Sequence, residues 1–209
     1  SFPTRRSSDL EHCFKSPRNN FSINGKYKKE VRVSAPAVNS LKASSSGDII
    51  IKNGLKTSGK VTVKASSSGD VTGSTISCDD FAATANSSGD VILEKVSCTN
   101  FSADASSSGD VSVKNLNAAD VSADASSSGD VILAGICENA SYRACSSGDV
   151  KAKGMKAVNV TASASSSGDV ECYVTGSLTA KASSSGEVAY KGNPKDIDFS
   201  PKRGLRKME

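Results

Sequence analysis

Tryptophan is absent from this 209-residue chain, and aromatic residues make up only 5% of it. Serine, alanine, glycine, valine and aspartate are abundant instead, so a core of large side chains cannot be assembled. Any core must be narrow and filled by small residues. No hydrophobic run approaches the roughly 18 residues that a membrane-spanning helix needs. We therefore expect no transmembrane segment in this chain.

Histidine is nearly absent as well, since His12 is the only one. The rest of the chain lacks a general base of the usual kind and any Ser-His-Asp set, so its many serines have no activating partner. None of the six cysteines belongs to a CxxC pair or neighbours a histidine pair, as zinc ligands commonly do. We expect no enzyme activity, no catalytic residue, no metal site and no cofactor, with calcium considered below.

Basic residues are scarce in the middle of the chain, although the formal net charge is +4. Residues 1–33 carry 8 basic against 3 acidic side chains, residues 34–192 carry 13 against 16, and residues 193–209 carry 5 against 3. A nucleic-acid-binding surface requires basic residues clustered with aromatics on one face. The charge distribution therefore excludes nucleic acid as an expected partner.

Proline is missing between residues 37 and 193, which agrees with continuous sheet pairing because proline cannot donate to a strand ladder.

The first ten residues, SFPTRRSSDL, match the in-frame translation of a common sequencing adapter. We predict an adapter-derived segment at 1–10, a truncated N-terminal lead-in or cap at 11–35, a β-helix at 36–192 and a basic C-terminal cap or tail at 193–209.

One motif, A-S-S-S-G-D-V, recurs along the chain. Its glycines are spaced by 22, 20, 20, 20, 19, 20 and 18 residues and lie at 47, 69, 89, 109, 129, 148, 168 and 186. A fixed period of this length is typical of a solenoid, in which each repeat covers the next. Repeat positions are counted below from this glycine, so that position −4 lies four residues before it.

Apolar residues alternate with polar ones within each repeat, which predicts a strand with one buried face. Position −4 is always alanine and position +2 is always isoleucine or valine. Position −8 holds Val61, Phe81, Phe101, Val121, Ala140, Val160 and Leu178, and position −6 holds Val63, Ala83, Ala103, Ala123, Tyr142, Ala162 and Ala180. Position +7 adds Ile76, Val96, Leu116, Ile136 and Met155.

These features predict an all-β fold, a right-handed parallel β-helix of about eight coils of about 20 residues. With coils spaced by about 4.8 Å, the rod is roughly 38 Å long. Leucine-rich repeats would need more leucine and a helical return, and propeller blades would need alternate copies to differ.

Within this fold, we expect Phe81 and Phe101 to stack. We also expect the middle serine of the motif, such as Ser107, to point inward with the glycine, which supplies a bend or a positive φ.

Three cysteines share position −11: Cys78, Cys98 and Cys137. Cys145 and Cys172 lie elsewhere in their repeats, and Cys13 precedes them. Small, semi-apolar wall residues are the simplest interpretation. If any pair is oxidised, we expect Cys78 and Cys98, because neighbouring coils approach the Cα separation of a disulfide.

The ASSSGDV repeats and the closing GEVAYKGNPKDID together resemble the putative auto-transporter adhesin family with a head GIN domain. The resemblance covers roughly residues 31–198, and its more specific part is Gly186, Tyr190, Gly192 and Pro194. It implies a β-helix, an origin in Bacteroidetes-type bacteria and an export or lipoprotein signal upstream. It carries no catalytic residues, so function remains a class-level inference.

A column of acids follows the glycines: Asp48, Asp70, Asp90, Asp110, Asp130, Asp149, Asp169 and Glu187. They are interpreted as solvated turn residues bound to backbone, as a cation-bridged column that takes calcium, or as part of a ligand-binding face. The spacing also resembles that of a retaining glycosidase pair, yet equivalent acids offer no split in pKa. Our candidate binding grid is Ser88, Asp90, Ser108, Asp110, Ser128, Asp130, Ser147 and Asp149.

Two functional hypotheses remain. The chain is an exported, adhesin-like module of the cell envelope or surface that binds carbohydrate, protein or an envelope surface, or it is a purely structural or self-associating envelope scaffold. A carbohydrate-active enzyme is a weaker alternative. An ice-binding face is also weaker, because it would favour aligned threonine pairs. The sequence leaves the oligomeric state open.

Overall fold

The computed structural model describes residue 33 and residues 38–200 and 204–209. These residues contain no helix and form sixteen strands, all paired in parallel. The strands are β1 (Ser40–Ala43), β2 (Ile49–Ile51), β3 (Leu55–Lys56), β4 (Lys60–Ser67), β5 (Val71–Ser77), β6 (Asp80–Ser87), β7 (Val91–Ser97), β8 (Asn100–Ala105), β9 (Val111–Asn117), β10 (Asp120–Ala125), β11 (Val131–Ala144), β12 (Val150–Ala164), β13 (Val170–Ala182), β14 (Val188–Lys191), β15 (Asp196–Ser200) and β16 (Leu205–Lys207).

The strands stack as a β-solenoid of about eight turns of about 20 residues, which confirms the predicted architecture. Its right-handed sense stays a prediction. Two walls enclose the core. The front wall holds positions −9 to −4, and the back wall runs from position +2. The first coils use a separate strand for each wall, whereas β11, β12 and β13 each run continuously through both.

The predicted inward columns are confirmed at positions −8, −6, −4 and +2. Front-wall alanines such as Ala85 and Ala105 pair directly across coils and are buried. Phe81 and Phe101 are each 2% exposed, and their rings stack with centroids 5.6 Å apart and planes 11° apart. The core is therefore a set of columns in which each residue covers its equivalent in the next coil.

Ile136 is the exception, and its predicted inward position is wrong: its side chain is 55% exposed. The coil from Gly129 to Gly148 has 19 residues, and a register shift between Leu133 and Gly135 absorbs the missing one. Gly135 consequently lies beside Leu116 and Met155 in the column that Ile136 was expected to join. Gly135 adopts a φ of +138°, and a Cβ there would lie 1.9 Å from the Leu116 carbonyl oxygen.

The predicted roles of the motif serine and glycine also need correction. Ser107 does not point inward: it is exposed, and it rather than the glycine adopts a positive φ of 62°. Gly109 is buried against the preceding coil, where an added Cβ would lie 2.7 Å from the Gly89 carbonyl oxygen. The glycine is needed for this close approach between coils.

The structure describes most of the predicted C-terminal segment but, of the two predicted N-terminal segments, only Val33. Residues 193–209 carry β15 and β16, which pair with β13 and β14 and extend both walls. The predicted segments 1–10 and 11–35, with His12 and Cys13, lie outside the described residues apart from Val33.

Candidate binding surface

The ASSSG motif forms the corner that leads from the front wall to the back wall. The Gly109 N–H donates to the Ser106 carbonyl oxygen at 3.2 Å and closes a four-residue turn, in which Ser107 is second. A positive φ at this second position normally selects glycine. Serine nevertheless holds it in all eight coils, with φ between 58° and 62°: Ser45, Ser67, Ser87, Ser107, Ser127, Ser146, Ser166 and Ser184.

The serines at position −1 complete an exposed double row on this corner. Ser88, Ser108, Ser128 and Ser147 are all exposed. Their backbone N–H groups donate to the carbonyl oxygens of the position −2 serines in the preceding coil, as Ser108 does to Ser87 at 2.7 Å. No hydrogen bond from these four hydroxyls occurs among the described residues, so the hydroxyls face solvent. We call the serines at positions −2 and −1 the serine ridge.

The acid column forms a continuous hydrogen-bonded ladder beside the serine ridge. Each carboxylate accepts a hydrogen bond from the backbone N–H of the acid in the next coil. The Asp110 N–H donates to Asp90 Oδ1 at 3.0 Å, and the Asp130 N–H donates to Asp110 Oδ1 at 2.9 Å. The ladder runs from Asp48 to Glu187, with distances between 2.8 and 3.2 Å. One carboxylate oxygen is therefore engaged in linking coils, which explains the acid at position +1 in structural terms.

Charge along the ladder is only partly compensated. Lys151 bridges two acids, contacting Asp130 Oδ2 and lying 3.5 Å from Asp149 Oδ2. At the C-terminal end, Arg206 Nε donates to Glu187 Oε1 at 2.6 Å. Burial raises the pKa of Asp110, while its hydrogen bond from the Asp130 backbone lowers it and the neighbouring carboxylates raise it further.

The structure thus brings the predicted grid together on one corner but gives its members different environments. The four serines are exposed, whereas Asp90, Asp110, Asp130 and Asp149 are half-buried in the ladder. Of the three interpretations of the acid column, attachment to backbone matches these contacts. No group of three or more His, Cys, Asp or Glu side chains that could hold a metal occurs among the described residues.

A second polar array on the front wall was missed by sequence reasoning. At position −9, Asn100 Nδ2 donates to Asp80 Oδ1 at 2.7 Å, and Asn139 Nδ2 donates to Asp120 Oδ1 at 2.9 Å. Asn159 continues the row to Asn139 at 3.0 Å. Beside it, position −7 carries an outward row of mostly Ser and Thr: Thr62, Ser102, Ser122, Ser141, Thr161 and Thr179. The recurrence of Asp or Asn at position −9 was the available signal.

The described surface has shallow grooves. One lies along the serine ridge between Ser183 and Gly186, and another is lined by Lys56, Ser58, Ser77, Cys78 and Asp79. Within the described part of the chain, no helix is long and apolar enough to cross a membrane.

Comparison with known proteins gives a family for this chain. The family model described as "Putative auto-transporter adhesin, head GIN domain" matches residues 14–131 and 84–194. Its description points to an extracellular or surface location. A crystal structure of a putative adhesin from Bacteroides fragilis NCTC 9343 is similar with a TM-score of 0.49 and 16% identity, covering 82% of this chain and 90% of that one. No curated protein matches the chain.

Proposed function

Because the chain belongs to the putative auto-transporter adhesin family with a head GIN domain, we propose that it is an exported, non-enzymatic binding module of the bacterial cell envelope or surface. Its serine ridge contacts an extended, hydroxyl-rich polymer, a cell-surface polysaccharide. The ridge offers hydroxyl donors and acceptors, and the second carboxylate oxygens of Asp90 and Asp110 beside it offer further acceptors.

The constancy of the serine ridge, with serine at positions −2 and −1 of all eight coils, carries this proposal. Alanine at −4, glycine, the acid and valine at +2 recur because they pack or hydrogen-bond between coils. The side chain at −2 has no such role between coils, since it is exposed, and the residue holds a φ that glycine adopts at less cost. A residue kept in a strained conformation eight times is explained by what it presents to solvent.

The solenoid presents these hydroxyls at a fixed repeat of about 4.8 Å along the axis. A single serine hydroxyl binds weakly in water, because it exchanges one hydrogen bond for another. A rigid row meets a polymer at many points at once, so that binding at the first point makes the others intramolecular. An extended repetitive ligand therefore suits this surface better than a small molecule.

The shared backbone hydrogen bonding of the acids supports a binding role over catalysis. Glycosidases separate their two carboxyl groups by environment, so that one is protonated and the other ionised. Here each acid has the same backbone partner in the next coil. A pair with distinct acid and base roles does not arise from such repetition.

The test is binding of the intact chain to a panel of purified polysaccharides. The variant S88A/S108A/S128A/S147A removes four ridge hydroxyls and is expected to lower apparent affinity at least tenfold on any polysaccharide that binds. The matched control, S102A/S122A/S141A/T161A, removes four hydroxyls from the front wall and is expected to bind as the wild type does. Loss in the control but not in the ridge variant would overturn the assignment, as would release of reducing sugars.

A self-associating envelope scaffold is the second candidate. It is favoured by an exposed apolar row on the back wall, where Ile50, Ile92 and Ile132 occupy position +3 in alternate coils. Sedimentation of the wild type and of I92S/I132S distinguishes the two. A wild-type oligomer that the double variant dissociates supports the scaffold, whereas a monomer in both supports the binding module. Fractionation of cells that produce the complete gene product tests the envelope location separately.

A further inference from the structure

Two cysteines of neighbouring coils lie side by side at the bend that leads from the back wall to the front wall. Ser77 pairs with Ser97 just before this bend, and the Thr99 N–H donates to the Asp79 carbonyl oxygen at 2.8 Å just after it. Cys78 and Cys98 are held between these two contacts. In-register parallel neighbours are about 4.8 Å apart, within the range of Cα separations that disulfides span.

The other described cysteines have no such neighbour. Position −11 is Ser58 in the preceding coil and Ala118 in the following one, so Cys137 lies two coils from Cys98. Cys145 is at position −3 and Cys172 is at position +4. The pair is therefore unique within the described part of the chain.

The pair lies near the surface. Cys98 is half-buried, and Cys78, which is 8% exposed, lines an open groove with Lys56, Thr57 and Ser58. Burial, and to a smaller extent the neighbouring Asp79, raises the pKa of Cys78 to about 11. Burial, and to a smaller extent the neighbouring Cys78, raises the pKa of Cys98 to about 12. Thiolates are consequently scarce at neutral pH, and exchange with a disulfide is slow unless the coils are still forming.

We propose that Cys78 and Cys98 form a disulfide between coils when the protein folds in the presence of a disulfide oxidant. The proposal rests on the proposed function in one respect, because export is what brings the chain to an oxidising compartment. The Cys98 thiolate attacks the oxidant disulfide and releases one thiolate, and the Cys78 thiolate then attacks Cys98 Sγ and releases the second. The two cysteine protons end on the two released thiols, so the oxidant gains the two electrons that the cysteines lose.

The bond would fasten the coils where their strands are interrupted. Separate strands meet the bend at β5 and β6 and again at β7 and β8, whereas β11 to β13 run through it without a break. A covalent link at this bend therefore adds a connection in the half of the solenoid that has less continuous pairing.

The test refolds the full chain from denaturant in a buffer of oxidised and reduced glutathione, alkylates the remaining thiols and digests with trypsin. Cleavage after Lys64, Lys95 and Lys114 places Cys78 in peptide 65–95 and Cys98 in peptide 96–114. We expect these peptides to be recovered linked, and the linked protein to melt at a higher temperature than its reduced form.

Two serine variants at the same repeat position identify the cysteines that form the bond. C98S is expected to lose both the linked peptides and the rise in melting temperature, whereas C137S, at the same repeat position, is expected to keep both. Alkylated Cys78 and Cys98 after refolding, separate glutathione adducts on them or a link to Cys137 would each overturn the proposal. The experiment uses purified protein, so its failure leaves the envelope location untouched, and failure of cell fractionation leaves the disulfide chemistry untouched.

Discussion

At the residue scale, the corner uses two residues for what a single glycine often provides, a positive φ and room for close backbone contact. Ser107 takes the positive φ, and Gly109 permits close contact with the preceding coil. The sequence could not reveal this division, because residue preferences assign a positive φ to glycine and the approach of two coils depends on tertiary structure. Alternation of apolar residues, by contrast, predicted the buried columns correctly because side-chain direction in a strand follows a period of two.

Substitution of the two corner residues measures this division. G109A should lower the free energy of unfolding by about 1 to 3 kcal/mol, because its Cβ overlaps backbone atoms that cannot easily move. S107G should change it by less than about 1 kcal/mol, since relief of the positive φ offsets the greater entropy of the unfolded chain. Urea unfolding of both variants checks the prediction. A larger loss from S107G than from G109A would contradict it.

The aromatic pair gives a second prediction at this scale. F101A should cost about 3 to 5 kcal/mol, because it removes a buried ring that stacks on Phe81 and leaves a cavity in a narrow core. The neighbouring outward residue supplies a control: S102A should cost less than about 0.5 kcal/mol. A loss below about 1 kcal/mol for F101A in urea unfolding would show that the site relaxes or is hydrated.

At the element scale, the strand ladders explain features that the repeat alone left ambiguous. The 19-residue spacing showed that one coil is short, but not which residue is missing from its wall. Ile136 was assigned by counting, whereas the register shift puts Gly135 in its place. The sequence could not predict the acid ladder either, because a hydrogen bond from a carboxylate to the backbone of the next coil depends on the register of the two coils.

The acid ladder allows its structural role to be separated from its charge. D110N keeps an acceptor for the Asp130 N–H and removes repulsion from Asp90 and Asp130, so it should be neutral or slightly stabilising. D110A removes the acceptor and should cost about 1 to 3 kcal/mol. D130N should be less favourable than D110N, because it also removes the Lys151 contact. Thermal unfolding of the three variants gives the comparison.

Calcium and pH test the same ladder. Because the folded pKa of Asp110 lies above its ordinary value, protonation favours the folded state, and its contribution to stability falls as pH rises through that pKa. The wild-type melting temperature should therefore approach that of D110N as pH is lowered. Millimolar calcium should leave both unchanged. A calcium-dependent rise in melting temperature that D110N/D130N abolishes would turn the ladder into a cation site.

At the scale of the whole molecule, stability is shared between neighbouring coils, because each coil packs mainly on the one before and the one after. Local damage should therefore stay local. In F101A, hydrogen exchange should accelerate in peptides from β6 to β9, while peptides from β12 and β13 keep their protection. Exchange measured by mass spectrometry checks this. A uniform loss of protection along the chain would show that the solenoid unfolds as one unit.

The acid ladder also bears on how such a protein changes length. Every coil offers the same acceptor to its successor and the same donor to its predecessor, so two coils joined at equivalent positions are as compatible as native neighbours. Removal of residues 90–109, which unites Gly89 with Asp110, should leave a shorter protein with an intact ladder. In genetic terms the gene can gain or lose whole units by in-frame duplication or deletion, and the length of the solenoid becomes a heritable, stepwise variable.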